Sequence, residues 1–360
     1  MKILIIQQKM IGDVLTSSIL FRAIKKQFPK AVLHYLIHKH TLPVVKNNPF
    51  IDHFLQFDPE EDSKPLAILR WRRELKAQQY DAVIDVYSKV GTAILAVLTK
   101  APIRISYDKW YTRKFYTRTF KPKKKSKTNA GLAVENRMLL LQGIGQNFPV
   151  EMKPEIYLTS EEKEKAKQRL LADGIALEKP LIMCGILGSS ETKTYPLPYM
   201  AQVLDFIVEK TGAQLVFNYI PRQVEAAGTL YDLCKPETQK QIFFDIFGTS
   251  LREFMAITSF CNALIGNEGG AVNMAKALDV PTFAIFSPQI KKGNWGIYED
   301  GKRHISVHIS DFRPEVKLLP RKQIRKKSAA FYELLRPSLI FAKLDLFLAE
   351  VANPGEPEPS

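Results

Sequence analysis

The chain alternates short apolar runs with helical patterns, stops, and then begins the same alternation again; this repeat constrains the fold more than any other feature. Lys2 to Ile6, Val32 to Ile37, Ala82 to Val86 and Ile103 to Ser106 read as strands. Helical spacing runs between them from Asp13 to Phe28, ended near Pro29, and from Leu66 to Gln78. Strands separated by helices need right-handed crossovers, which build a parallel sheet. The pattern breaks around a Lys-rich stretch and the Gly143 to Pro154 segment. It restarts with strands at 181–186, 214–217, 263–265 and 282–286, and with helices at 198–210, at 224–234 and from Ala271. The expected class is α/β, with two Rossmann-like parallel-sheet domains, residues 1–150 and 151–310, facing a cleft that takes the ligand.

Charge narrows the class of ligand. With 52 Lys and Arg against 37 Asp and Glu, the net charge is +15, which suits a nucleic acid, an anionic membrane surface or a phosphorylated substrate. Residues 113–127 carry eight basic residues and no acid, with Phe115, Tyr116 and Phe120 interleaved, and residues 313–327 carry seven with one Glu. Each run reads either as a solvated loop or as a binding surface; Lys123, Lys124 and Lys125 are the candidate acceptor or membrane contacts. Cys184, Cys234 and Cys261 are odd in number and widely spaced, which suggests reduced core thiols and a cytoplasmic setting. The first apolar run is too short for a signal sequence, and no run reaches 18 residues, so any membrane contact is expected to be peripheral.

Residues 311–352 form a basic segment followed by apolar residues at helical spacing. This helix could pack on a domain, return to the first domain or lie on a membrane. Residues 353–360 read as a frayed tail.

Three constellations carry chemistry. The stretch from Gly266 to Leu278 joins an apolar strand to a helix through Gly269 and Gly270, a junction whose first helical amides face an arriving anion. Glu268 and Asn273 flank it with groups able to hold hydroxyls or a base. At the opening of the second domain, Ser189, Ser190 and Lys193 follow a strand and supply two hydroxyls and a compact cation, as a pyrophosphate requires. In the first domain Asp13 is expected at or beside a helix N-cap, either as a structural cap or as a base facing the cleft. His34, His38 and His40 fit a strand entering a polar loop, so no metal site is expected. Neither a Walker phosphate loop nor a G-x-G-x-x-G fingerprint is present, which removes the main support for kinase and dehydrogenase readings.

These residues resemble the family 9 glycosyltransferases, the heptosyltransferase family of lipopolysaccharide assembly. The resemblance spans residues 1–310 and rests on Ile11-Gly12-Asp13-Val14-Leu15, Asn48-Pro49-Phe50-Ile51-Asp52, Tyr80-Asp81-Ala82-Val83-Ile84-Asp85, Lys193-Thr194-Tyr195-Pro196 and the glycine turn at Glu268. It implies a GT-B fold and metal-independent, inverting sugar transfer from a nucleotide-sugar substrate, with no cofactor. It also implies a lipid-linked anionic acceptor, met at the inner face of the cytoplasmic membrane, and no nucleic-acid partner. On the same basis Asp13 corresponds to the family's general base, Lys193 to its phosphate-binding lysine, and Glu268, Gly269 and Gly270 to the turn that holds the donor. The chain departs from the pattern at Asn273, where the family has His, at Glu268, where it has Asp, and at Tyr195, where it has Trp. ADP-heptose is the expected donor. A different donor such as a UDP-hexosamine, or a non-catalytic basic nucleic-acid or membrane-binding protein, remain as alternatives.

Overall fold

Two six-stranded sheets, each wholly parallel, organise the chain in a computed structural model that describes residues 1–64 and 66–352. The tail expected at 353–360 lies outside the described residues. One compact unit comprises residues 1–157 together with 293–297, and the other residues 158–292 with 298 onward.

The N-terminal unit is built on β1 (Lys2–Ile6), β2 (Val32–His38), β3 (His53–Phe57), β4 (Ala82–Asp85), β5 (Ile103–Tyr107) and β6 (Arg118–Phe120), in the order β3-β2-β1-β4-β5-β6. Ile3, Leu4, Ile5 and Ile6 have no exposed surface, as expected for a central parallel strand covered on both faces. Two of the five motifs that carry the family resemblance start or end strands here, and Ile11–Leu15 opens the helix after β1. Asn48 Oδ1 accepts from the Phe50 amide, 3.0 Å away, and turns the chain into β3, while Asp52 Oδ2 accepts from Leu33 N on β2. Asp81 takes the Lys2 amide beside β1, and Asp85 ends β4.

The expected helix from Asp13 to Phe28 is two helices, Ile11–Ser17 and Ile19–Gln27. The hydroxyls of Thr16, Ser17 and Ser18 each bond back to carbonyls three or four residues earlier, and this competition interrupts the ladder at Ser18. The helix starts at Ile11 with Met10 as its cap residue, so Asp13 is the third helical residue and its side chain makes no cap bond.

The C-terminal unit repeats the plan with β7 (Leu181–Gly185), β8 (Gln214–Phe217), β9 (Ile242–Phe243), β10 (Ala263–Asn267), β11 (Thr282–Ile285) and β12 (His304–Val307), in the order β12-β11-β10-β7-β8-β9. Its core includes the helix Pro337–Ala352: Ile340, Leu344 and Phe347 have no exposed surface and join Val203, Leu204 and Ile207 of the helix Leu197–Thr211. Phe341 stacks on Phe206 with ring centroids 4.4 Å apart. The apolar face that could have returned to the first domain or met a membrane is therefore occupied inside the C-terminal unit. Among the described residues no helix is long and apolar enough to cross a membrane.

Candidate functional site

In both sheets the first strand sits in the middle and the order reverses beside it, between β1 and β4 and between β7 and β10. Such a reversal leaves a crevice at the carboxyl ends of the two strands, where open α/β sheets bind ligands.

In the C-terminal unit, the loops at that reversal hold the expected donor residues. The loop after β7 contains Ser189, Ser190 and, in a single 3-10 turn, Lys193; the turn after β10 contains Glu268, Gly269 and Gly270. Asn267 joins the two. Its Oδ1 accepts from Tyr195 N at 2.7 Å, and its Nδ2 donates to Gly185 O at 2.9 Å. The strand ends approach so closely that a Cβ on Gly266, at φ +143°, would stand 2.3 Å from Gly185 O. Gly188 is equally constrained, since a Cβ there would lie 2.2 Å from Lys193 O.

The first loop is also tied down from behind. The Thr192 carbonyl accepts from Ser287 Oγ at 3.2 Å, Gln289 Nε2 at 3.0 Å and Ser328 Oγ at 3.0 Å, and the Lys193 carbonyl accepts from Tyr332 OH at 3.2 Å. These bonds fix the lysine's backbone and leave its side chain half-buried, with Ser189 and Ser190 exposed beside it. Burial raises the Glu268 carboxyl above its usual range, and the Lys193 charge draws it back. Gly269, at φ 154°, caps the helix Gly270–Ala277, whose first turn carries half-buried Asn273 and whose leading amides have no intrahelical acceptor.

In the N-terminal unit, Asp13 follows β1 at the reversal. Its carboxylate is about a quarter exposed and accepts from Arg137 Nη2 at 2.6 Å. Asp85 ends the neighbouring β4 and is fully buried, accepting from Tyr116 OH at 2.6 Å and from the Ser88 amide at 2.8 Å. Burial pushes its carboxyl up to about 6, against the downward pull of Tyr116 and Ser88.

The basic run 113–127 contains β6, and its part after β6 is a folded loop. Glu135, without exposed surface, accepts from Lys123 Nζ at 2.9 Å, Ser126 Oγ at 2.6 Å and the amides of Lys127 and Thr128. Burial alone would raise this carboxyl, but those bonds hold it down at about 2. Of the three candidate lysines, Lys123 is thus engaged by Glu135, while Lys124 and Lys125 point outward as exposed residues.

His34 bonds Tyr80 OH, and His38 stacks on Phe57. Among the described residues no group of three His, Cys, Asp or Glu is arranged to hold a metal ion. The three cysteines are buried and free, and burial raises all three thiols. Cavities of about 700, 470 and 350 Å³ lie away from these loops, the second of them between Lys179, Lys210 and Leu348.

Sequence reasoning missed Arg137 and Asn267. Arg137 stands in an apolar stripe with Val134, Met138 and Leu141, and a cation in such a stripe signals a buried partner. Asn267 is a polar residue ending a strand that is otherwise apolar.

A family model described as glycosyltransferase family 9 (heptosyltransferase) matches residues 68–322. Lipopolysaccharide heptosyltransferase 1 of Campylobacter coli is 25% identical over 79% of this chain and 84% of its own length. Among solved structures, a family 9 glycosyl transferase from Veillonella parvula superposes with a TM-score of 0.74 at 20% identity, covering 92% of this chain and 97% of that one. The ADP-heptose lipopolysaccharide heptosyltransferase II of Escherichia coli superposes with a TM-score of 0.71 at 15% identity, covering 98% of this chain and 100% of that one.

Proposed function

Because the chain belongs to glycosyltransferase family 9 and has its GT-B fold, we propose that it transfers heptose from ADP-heptose to a lipid-linked, anionic acceptor of the lipopolysaccharide core. The observation that carries this reading is the pair of anion-ready loops at the β7–β10 reversal, joined through Asn267.

As the anomeric bond breaks, the leaving diphosphate gains negative charge. Lys193, the hydroxyls of Ser189 and Ser190 and the leading amides of the helix Gly270–Ala277 meet that charge without a metal. Glu268 and Asn273 hold the hydroxyls or base of the donor. The acceptor hydroxyl attacks the anomeric carbon from the side opposite the diphosphate, which inverts the configuration, and its proton passes to the Asp13 carboxylate. Lys124 and Lys125 meet the anionic acceptor or the inner leaflet in which it is presented.

The test is incubation with ADP-heptose and a lipid A core precursor. ADP release together with heptosylated product is expected, and the absence of both overturns the reading. A second donor class, such as the UDP-hexosamines, is the alternative that Asn273 keeps open, since it places a neutral side chain in the first turn of the helix where the family has His. A panel of nucleotide-sugars in a thermal-shift assay separates the two by which one stabilises the protein most.

A further inference from the structure

The carboxylate assigned as base is held by a side chain that itself has almost no freedom. Arg137, on the helix Gly131–Leu139, is 7% exposed in its side chain and reaches Asp13 Oδ1 at 2.6 Å. Its Nε donates to Ser17 Oγ at 2.8 Å and its Nη1 to the Ala133 carbonyl at 2.7 Å. The guanidinium lies 5.9 Å from the ring of Trp295, in the segment 293–297 that belongs to the N-terminal unit.

Glycine allows this approach. Gly131 has φ +82°, and a Cβ there would lie 3.2 Å from the Gly296 carbonyl. Three hydrogen-bonding directions and one ring thus fix a planar fork, and only one of those directions is aimed at Asp13.

We infer that Arg137 is a positioning residue for the Asp13 carboxylate, and that Trp295 holds its guanidinium in place; this rests on Asp13 acting as the base. Arg137 touches no reacting atom. It sets where the proton-accepting oxygen stands, and a carboxylate displaced by an ångström loses most of its effect on the chemical step while binding is untouched.

The test measures kcat and KM for ADP-heptose, with the lipid A core precursor as acceptor, together with ADP affinity by calorimetry. Arg137→Lys is expected to lower kcat by about 10- to 100-fold and to leave KM and ADP affinity within about 2-fold. In an Asp13→Asn background the same substitution is expected to cost nothing further, because its only route to the reaction has been removed. Guanidine added to Arg137→Ala should restore part of kcat where equal ammonium does not. Trp295→Leu, at a half-buried position, should lower kcat severalfold, again only when Asp13 is present. If the Arg137 variants lose their fold by circular dichroism, the Trp295 pair carries the test alone. Additive losses in the double variants, a raised KM with unchanged kcat, or a silent Trp295→Leu would overturn the positioning role and leave the base reading standing. Full turnover by Asp13→Asn, or none by the wild type, overturns both.

Discussion

Asp85 is a carboxyl group enclosed at the end of β4, with its titration raised to about 6 by burial. Unfolded, it titrates near the ordinary carboxylate value of about 4. The folded state therefore binds this proton more tightly. The stability it contributes is fully present below about pH 4 and is lost as pH rises through about 6, by on the order of 2–3 kcal/mol. Asp85→Asn removes that titration. The gap between wild-type and variant urea midpoints should change in the variant's favour between pH 4 and 7, and a gap independent of pH would refute it. Lys193→Ala should weaken ADP binding by about 10- to 100-fold, as the loss of a charged hydrogen bond does, with the melting temperature nearly unchanged. An unaltered dissociation constant would exclude Lys193 from the site. Asp13 is better tested as Asn than as Ala, because Asn keeps an amide oxygen that can accept from Arg137 Nη2, whereas Ala removes that acceptor from the buried guanidinium, a loss of about 1–2 kcal/mol for a partly exposed pair. The placement of single residues was legible where a glycine or strand end lies beside them, as for Asp13, Lys193 and Glu268, each in or beside a loop after a strand. Arg137 was not, since its partner stands 124 positions away and no local pattern connects them.

At the scale of elements, the approach of β7 and β10 rests on Gly266 having no Cβ. Gly266→Ala would put a methyl 2.3 Å from Gly185 O at a φ of +143°. The strand ends must separate, at a loss of about 2–4 kcal/mol from overpacking and backbone strain combined. Urea denaturation should show that loss, and ADP affinity should fall with it, because Asn267 would no longer span both loops. A variant with wild-type stability would mean the ends part freely. The central strands were legible because burial on both faces makes them continuous apolar runs. The edges were not: β6 and β9 have three and two residues, too few for any period, and β3 buries only Leu55 among its five residues. Ser18 shows the limit for helices, where periodicity continues across a break made by hydroxyl groups.

For the whole molecule, the helix Pro337–Ala352 completes the core of the C-terminal unit, with Phe347 5.7 Å from Phe283 of β11 between ring centroids. Phe347→Ala should destabilise that unit by about 3–5 kcal/mol, read as an early transition in thermal or urea unfolding, whereas a membrane-binding role would leave the transition in place. The helix was legible as amphipathic, but the sequence has no mark for which surface takes the apolar face. Packing decided that, through Ile340, Leu344 and Phe347. The order in which a ribosome delivers these parts then matters. The strands of the N-terminal sheet are all present by Phe120, while β7 emerges some 160 residues before Ile340, which at about 5–20 residues per second is a wait of roughly 8–30 s. Throughout that interval the second sheet has one face without its last cover, so chaperone demand and premature proteolysis in the cell should concentrate on the C-terminal half.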